Sequence, residues 1–357
     1  MNRIVDHATQ WFRRETERID QRLQHLGSMT EQLSGRLSSS EAALQGNAQR
    51  LDQLSSQIDQ MQREVRLLLN RLSLPNSEAW ANPPQVNDEA PAPGAFPNST
   101  LCRHEDFDQP HFRFWTRRMS ANFAYHRKLW EHVFILQTLW ERGAIRPGAR
   151  GVGFGVGREP LPALFASEGC EITATDMDPH AAVEKGWTQS DQHAAGLEAL
   201  RFDNLCPPDV FEQSVQFRVC DMNDIAGDLK DYDFCWSSCA LEHLGSIGHG
   251  LRFIENSIGC LRPGGWAVHT TEFNISSDTD TLEQGGTVLY RDRDLKEFVQ
   301  RLETAGHSVA PLSLTPGNQP LDDYVDVPPY RQQPHLQLAI AGYACTSVGL
   351  IIQKGDA

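Results

Sequence analysis

From Val5 to Leu72 apolar residues recur every 3.5 positions without a slip of register, and no other feature constrains this chain as strongly. With Leu23 at heptad position a, the a series runs Leu23, Thr30, Leu37, Leu44, Leu51, Ile58, Val65, Leu72. The d series runs Val5, Phe12, Ile19, Leu26, Leu33, Ser40, Asn47, Leu54, Met61, Leu68, with Ser40 and Asn47 its polar members. Positions between are mostly Gln, Arg, Glu, Asp and Ser. A stripe this narrow and this long is a coiled-coil seam, because a lone helix would leave it in water. The alternative is a helix laid on the globular part of its own chain. Gly27, Gly35 and Gly46 each weaken the helix by about 1 kcal/mol, which marks the middle third as the place where it frays or sets the register. At ~1.5 Å per residue, residues 1–73 make a rod of about 110 Å. The repeat predicts a homo-oligomer held by this segment.

Pro75 ends the helix, and residues 74–100 carry six prolines with few large apolar residues and no period. Such a composition reads as a linker. The third segment, 101–357, is long enough for one large domain of its own. Its surroundings follow from charge and cysteine usage. The whole chain has 32 basic against 47 acidic residues, a net charge of −15, so a broad surface for nucleic acid is not expected. No apolar run reaches the ~20 residues of a membrane helix, and Met1–Arg14 lacks the apolar stretch of a secretory signal. Eight cysteines are scattered without a C-x-x-C pair. Cys235 and Cys239 lie four apart with no second pair, so no metal site is read from spacing. These features describe a soluble protein of a reducing compartment, the cytoplasm.

His111 to Arg142 is dense in aromatics, with Arg113, Arg117, Arg118, Arg127 and Lys128 among them. Trp130, Phe134, Leu136 and Leu139 follow helical spacing, which reads as a helical cover over a pocket (residues 110–146) in preference to a nucleic-acid face. From Gly148 strand-like runs alternate with helical stretches. Strands are predicted at 150–153, 171–176, 215–220, 232–237, 265–270, 308–314 and 343–352, and helices at 159–167, 250–260 and 292–305. The alternation predicts an α/β domain with a doubly wound, seven-stranded, mostly parallel sheet, whose ligands bind at the carboxyl ends of the strands.

Gly151, Gly153, Gly155 and Gly157 alternate in GVGFGVGREP, between a strand and a helix that opens at Pro160 or Pro162. Arg158 and Val156 stand where a dinucleotide fingerprint needs its third glycine, and no P-loop pattern is present. Asp176 ends the second strand 19 residues after Gly157, where a carboxylate can accept from both hydroxyls of a ribose. Asp221 stands at the next strand tip. In the order GVGFGVG, TATD, CDM, YDFCWSSCALEHL, LRPGGWAVHT and CTSVGLIIQK, residues 110–354 resemble the class I S-adenosylmethionine-dependent methyltransferases. That resemblance implies a Rossmann-like sheet and S-adenosylmethionine as cofactor. It places Gly153, Gly155 and Gly157 against the methionine part, Asp176 on the ribose, and Asp221 and Met222 on the adenine. Ser237 and Ser238 would face cofactor and substrate. The chain departs from the family at Gly151, where an acid is usual; Glu159 and Glu242 are the candidate substitutes.

Methyl transfer from a sulfonium needs mainly alignment, plus removal of a proton where an oxygen attacks. His243, just past the fourth strand, is the first candidate base and Glu272, past the fifth, the second. His269, inside a strand, reads equally as a core residue. Tyr290, Arg291, Arg127 and Trp130 are candidates to frame an acceptor, a small molecule or glycan. Two alternatives stay open: a coiled-coil scaffold with a non-catalytic methyltransferase-like domain, and an NAD-dependent oxidoreductase.

Overall fold

A computed structural model describes residues 2–71, 93–179 and 193–356. The chain divides into two units, Met1–Arg63 and Glu64–Ala357. Helix α1 (Asn2–Arg71) accounts for the first and continues unbroken through Gly27, Gly35 and Gly46. Its interior polar residues are satisfied locally: the hydroxyls of Thr30 and Ser39 donate to the carbonyls of Leu26 and Gly35 four residues back. The described a and d apolar residues, from Leu23 to Val65, are all between 52% and 67% exposed.

Residues 72–92, most of the expected linker, lie outside the described residues. The fold of the second unit is already under way before position 101. Phe96 is buried, and β1 (Ser99–Leu101) pairs with a strand near the far end of the chain. Then come α2 (His104–Phe107), α3 (Pro110–Arg118) and α4 (Arg127–Glu141), which form the expected aromatic segment. They lead to β2 (Arg150–Phe154), α5 (Leu161–Ser167), β3 (Glu171–Asp176), α6 (Pro208–Ser214) and β4 (Val215–Val219). β5 (Tyr232–Ser238), α7 (Ile247–Gly259), β6 (Leu261–Asn274) and α8 (Asp292–Thr304) complete the alternation. The short strands β7 (Ser308–Val309), β8 (Leu312–Ser313), β9 (Val325–Asp326) and β10 (Gln337–Ile340) precede the long β11 (Tyr343–Gln353).

The sheet runs β4-β3-β2-β5-β6-β11, parallel as far as β6 and closed by an antiparallel β11. Among the described residues it has eleven strands, not the seven expected. The difference lies on one edge. β11 pairs along its length with β6, and its other edge is shared by β10, β1 and β7 in turn. Strands of two to four residues have no readable period, which is why β1, β9 and β10 left no trace in the pattern. The predicted strand over 308–314 is two strands, β7 and β8, separated at Ala310 and Pro311. Proline has no N–H for a ladder.

The central parallel strands β2, β3 and β5 are buried on both faces, whereas β4 at the edge is largely exposed or half-buried. On one face Gly151 and Gly153 of β2 make room for the rings of Phe234 and Trp236. A Cβ at Gly151 would lie 2.4 Å from the Phe234 ring and 2.9 Å from Ile172 Cδ1; one at Gly153 would lie 2.4 Å from Trp236 Cζ2. The two rings are 5.9 Å apart and stacked, with Phe165 of α5 edge-on to both. The acid usual at position 151 has no space here. The Trp236 indole N–H donates to Glu159 Oε1 at 2.6 Å. Burial pushes the Glu159 carboxyl up to about 8, against the pull of that hydrogen bond.

Two outcomes follow from this packing. Gly151→Ala should destabilise the domain by about 1–3 kcal/mol through overpacking, and Phe234→Leu in the same chain should recover part of the loss. Thermal denaturation of both variants decides it, and no recovery would refute the ring contact as the cause. Because Glu159 holds its proton in the folded state up to about pH 8 and releases it near 4.5 when unfolded, stability falls as pH rises between those values. Glu159→Gln should therefore stabilise the protein near pH 8 by about 2 kcal/mol or more, with the gain vanishing near pH 4.5, in denaturant titrations at the two pH values.

Candidate functional site

At the carboxyl end of β2 the chain turns through Gly155 and Gly157, whose φ angles are +59° and +53°. Only glycine adopts this region without a steric penalty. A Cβ at Gly155 would lie 2.8 Å from Ala240 Cβ and 3.1 Å from Met222 Sδ. The turn therefore touches the tips of both β4 and β5. Asp176, at the tip of β3, accepts three backbone N–H bonds. Gly157 and Ala194 donate to Oδ2 at 3.1 and 3.0 Å, and Met177 donates to Oδ1 at 2.8 Å. Burial raises the Asp176 carboxyl above its ordinary range, while the bonds from Ala194 and Met177 oppose that. Asp221 is exposed just beyond β4, its Oδ1 accepting from Asn223 N at 2.9 Å, and Met222 beside it is buried.

The structure brings Gly155, Gly157, Asp176, Asp221 and Met222 together. Gly153 stands apart from the turn, within β2 against Trp236. The expectation that Ser237 faces the cofactor is corrected. Ser237 is fully buried, with its hydroxyl 2.8 Å from His269 Nδ1, and His269 Nε2 lies 3.1 Å from Ser257 Oγ of α7. Burial pushes His269 down to about 3, so this ring is a neutral core residue. Ser238 points to the other side of β5 and donates to Glu131 Oε2 at 3.2 Å.

That bond leads into a second cluster, at the carboxyl ends of β5 and β6. Arg127 at the start of α4 is buried and sends Nη1 to Glu131 Oε1 at 3.0 Å and to Ser347 Oγ of β11 at 3.1 Å; its Nη2 meets Glu272 Oε1 at 2.5 Å. Lys128 Nζ reaches Glu131 Oε2 at 3.2 Å. Burial alone would raise the Glu131 carboxyl, but Lys128 and Arg127 bring it down to about 2. Glu272 goes the other way: burial raises it, with Arg127 opposing and Glu242 adding to the rise. Glu242, fully buried on a short turn at Leu241–His243, accepts from Thr271 Oγ1 at 3.1 Å through Oε2. Glu272 Oε2, Glu242 Oε1 and the buried Tyr290 hydroxyl have no hydrogen-bond partner. Cys239, between β5 and that turn, has φ +44°, a left-handed conformation fixed by its N–H bond to Thr270 O at 3.0 Å.

His243 sits at the edge of this cluster. Its Nδ1 is 2.7 Å from the carbonyl of Gly286, which can only accept, so Nδ1 carries a proton; Nε2 lies 3.9 Å from Glu242 Oε1. The two halves of the site are adjacent because β2 lies beside β5 and Gly155 lies against Ala240. The sequence reading missed Glu131, Ser347 and the cluster role of Cys239. The spacing of Arg127 and Glu131, four apart on a helix, was the one available signal.

No protein-family profile matches this chain, and no curated protein matches it in sequence. Many solved structures are similar in arrangement. A putative sarcosine dimethylglycine methyltransferase from Galdieria sulphuraria is 12% identical, with 64% of this chain and 85% of that one covered at a TM-score of 0.40. Magnesium protoporphyrin IX methyltransferase from Synechocystis PCC 6803 is 15% identical, covering 70% and 97% at 0.36. The [4+2]-cyclase SpnF is 14% identical, covering 68% and 92% at 0.40. Likenesses this distant carry no functional weight. The strand order, the antiparallel β11 and the glycine turn at the tip of β2 give the second unit the Rossmann-like, mostly parallel sheet that the resemblance of its motifs implies.

Proposed function

We propose that the second unit transfers a methyl group from S-adenosylmethionine to an oxygen of a sugar, glycan or small metabolite. The observation that carries this reading is the contact between the glycine turn at Gly155 and Ala240, two residues before Glu242, whose Oε1 is buried without a hydrogen-bond partner. The turn fits the cofactor: any side chain at Gly155 would fill the space between Met222 and Ala240. Gly155 and Gly157 would present backbone to the methionine part, Asp221 and Met222 would meet the adenine, and Asp176 would take the ribose once Ala194 gives up its bond to Oδ2. When bound, the cofactor supplies a methyl group already activated for displacement. The chain aligns the acceptor and removes its proton. His243 is the proposed base, since the Gly286 carbonyl holds the tautomer that leaves Nε2 as the accepting nitrogen. The hydrogen-bonding wall of Glu242, Glu272 and Tyr290 suits a hydroxylated acceptor. Eight free, buried cysteines support a reducing, cytoplasmic setting.

A second reading, a scaffold whose domain does not catalyse, draws support from the three backbone bonds that occupy Asp176. Calorimetry with S-adenosylmethionine and NAD side by side separates the readings. Binding of the first and not the second is expected. Asp176→Ala should weaken that binding by about 2–4 kcal/mol, each bond to a charged acceptor being worth ~1.5–3. Turnover on a panel of hydroxylated acceptors should then fall ~10²–10⁴-fold in His243→Ala, with cofactor affinity unchanged. An unaltered rate would remove His243 as the base.

The exposed seam of α1 supports a homo-oligomer. Burying its leucines against a second copy contributes ~1.5–3 kcal/mol per fully buried side chain before the entropy of association. Sedimentation should show the full chain as an oligomer and a shortened chain beginning at Pro93, upstream of Phe96 and β1, as a monomer that still binds cofactor. A full-length monomer at tens of micromolar would end this proposal.

A further inference from the structure

The polar cluster contains more carboxyl groups than cations. Glu131, Glu242 and Glu272 face Arg127 and Lys128, which leaves one carboxylate unmatched. Each of the two outer carboxylates is anchored by one oxygen and presents the other. Thr271 holds Glu242 Oε2 and Arg127 holds Glu272 Oε1, while Glu242 Oε1 and Glu272 Oε2 are buried with no hydrogen-bond partner. An unsatisfied buried carboxylate oxygen is costly. Glu242 and Glu272 belong to one buried cluster, so a single occupant could serve both.

The thiol of Cys239 and one oxygen from each of these carboxylates lie within 4.8 Å of one another, all on buried residues. Three atoms so placed share a centre about 2.8 Å or less from each, against roughly 2.0–2.3 Å for zinc–oxygen and zinc–sulfur bonds, so modest side-chain contraction closes the site. We propose that Cys239, Glu242 and Glu272 bind one divalent transition-metal ion of the zinc or cobalt kind. A thiolate with two carboxylates selects such ions over magnesium or calcium, which take oxygen ligands. Binding forms the metal–sulfur bond and releases the thiol proton to solvent. The charges then close, because the thiolate adds a second negative charge and the dication cancels both. Thr271 and Arg127 become the outer partners that orient the ligands. Three protein ligands would leave a position open, as in catalytic sites; a metal held there would polarise an acceptor hydroxyl, and His243, whose Nε2 lies 3.9 Å from Glu242 Oε1, would be the group to take its proton.

Metal binding is measured without cofactor or acceptor, so its failure and that of the methyl-transfer reading are distinguishable. The full chain, freed of metal by a chelator and dialysed, is titrated with Co²⁺ and with Zn²⁺. One equivalent should bind, Zn²⁺ should displace Co²⁺, and Co²⁺ should give the near-ultraviolet thiolate-to-metal absorption. Cys239→Ser should abolish that absorption, and Glu242→Gln and Glu272→Gln should each weaken binding ~10-fold or more, with circular dichroism confirming that each variant is folded. Cys220→Ser serves as the thiol control and should bind as the parent does. Absence of stoichiometric binding to the unaltered chain overturns the proposal whatever the variants do, and so does an absorption that survives in folded Cys239→Ser.

Discussion

A guanidinium buried among carboxylates holds the two layers of the second unit together. Arg127 begins α4, yet its partners lie on three elements: Glu131 on its own helix, Glu272 on β6 and Ser347 on β11. Removing one member of such a group leaves uncompensated charge in the interior, at a cost of about 3–5 kcal/mol. The register of β6 against β11 sets Ser347 opposite Glu272, so the helix docks in one place along the sheet. Gly349, two residues on, gives Phe134 of the same helix its seat: a Cβ there would fall 2.2 Å from the ring. Charge and shape thus select the same docking position.

The same guanidinium splits its two carboxylates. Glu131 also has Lys128 and the Ser347 hydroxyl, which donates to Oε1 at 2.6 Å, and its charge is fully supported. Glu272 has Arg127 on one oxygen and Glu242 as a like-charged neighbour. One side of the cluster is a finished structural network. The other side keeps unused hydrogen-bonding capacity on Glu242, Glu272 and Tyr290. A folded protein rarely leaves such atoms buried and idle.

The alternating glycines show how one motif performs two physical tasks. Gly151 and Gly153 lie in the strand and exist for the rings of Phe234 and Trp236; Gly155 and Gly157 lie beyond it and exist for the backbone turn. The spacing GVGFGVG shows four equivalent glycines and does not reveal this division. Ser237 and Ser238 present the same lesson, since adjacent strand residues face opposite sides. One bonds His269 in the core and the other reaches Glu131 at the site. The parallel strands from β2 to β5 were legible to within a residue or so because their apolar runs are bounded by turns. β6 proved longer than its apolar run, extending back through the turn-like LRPGG because its ladder with β5 resumes there at Tyr232 and Leu261.

What the sequence determined alone is whatever depends on neighbours along the chain. The heptad seam, the alternation of strand and helix, the glycine turn and the acid at the tip of β3 are local patterns, and each is in place. Cys239, Glu242, Glu272 and Arg127 are separated by up to 145 positions in the chain, and no spacing rule relates them. A search for cysteine pairs could only dismiss Cys239. The parallel β5 and β6 bring their carboxyl ends to one side, and α4 then lowers Arg127 onto them. Tertiary structure decided the composition of the polar cluster, because burial and Coulombic balance act between residues that only the fold makes neighbours.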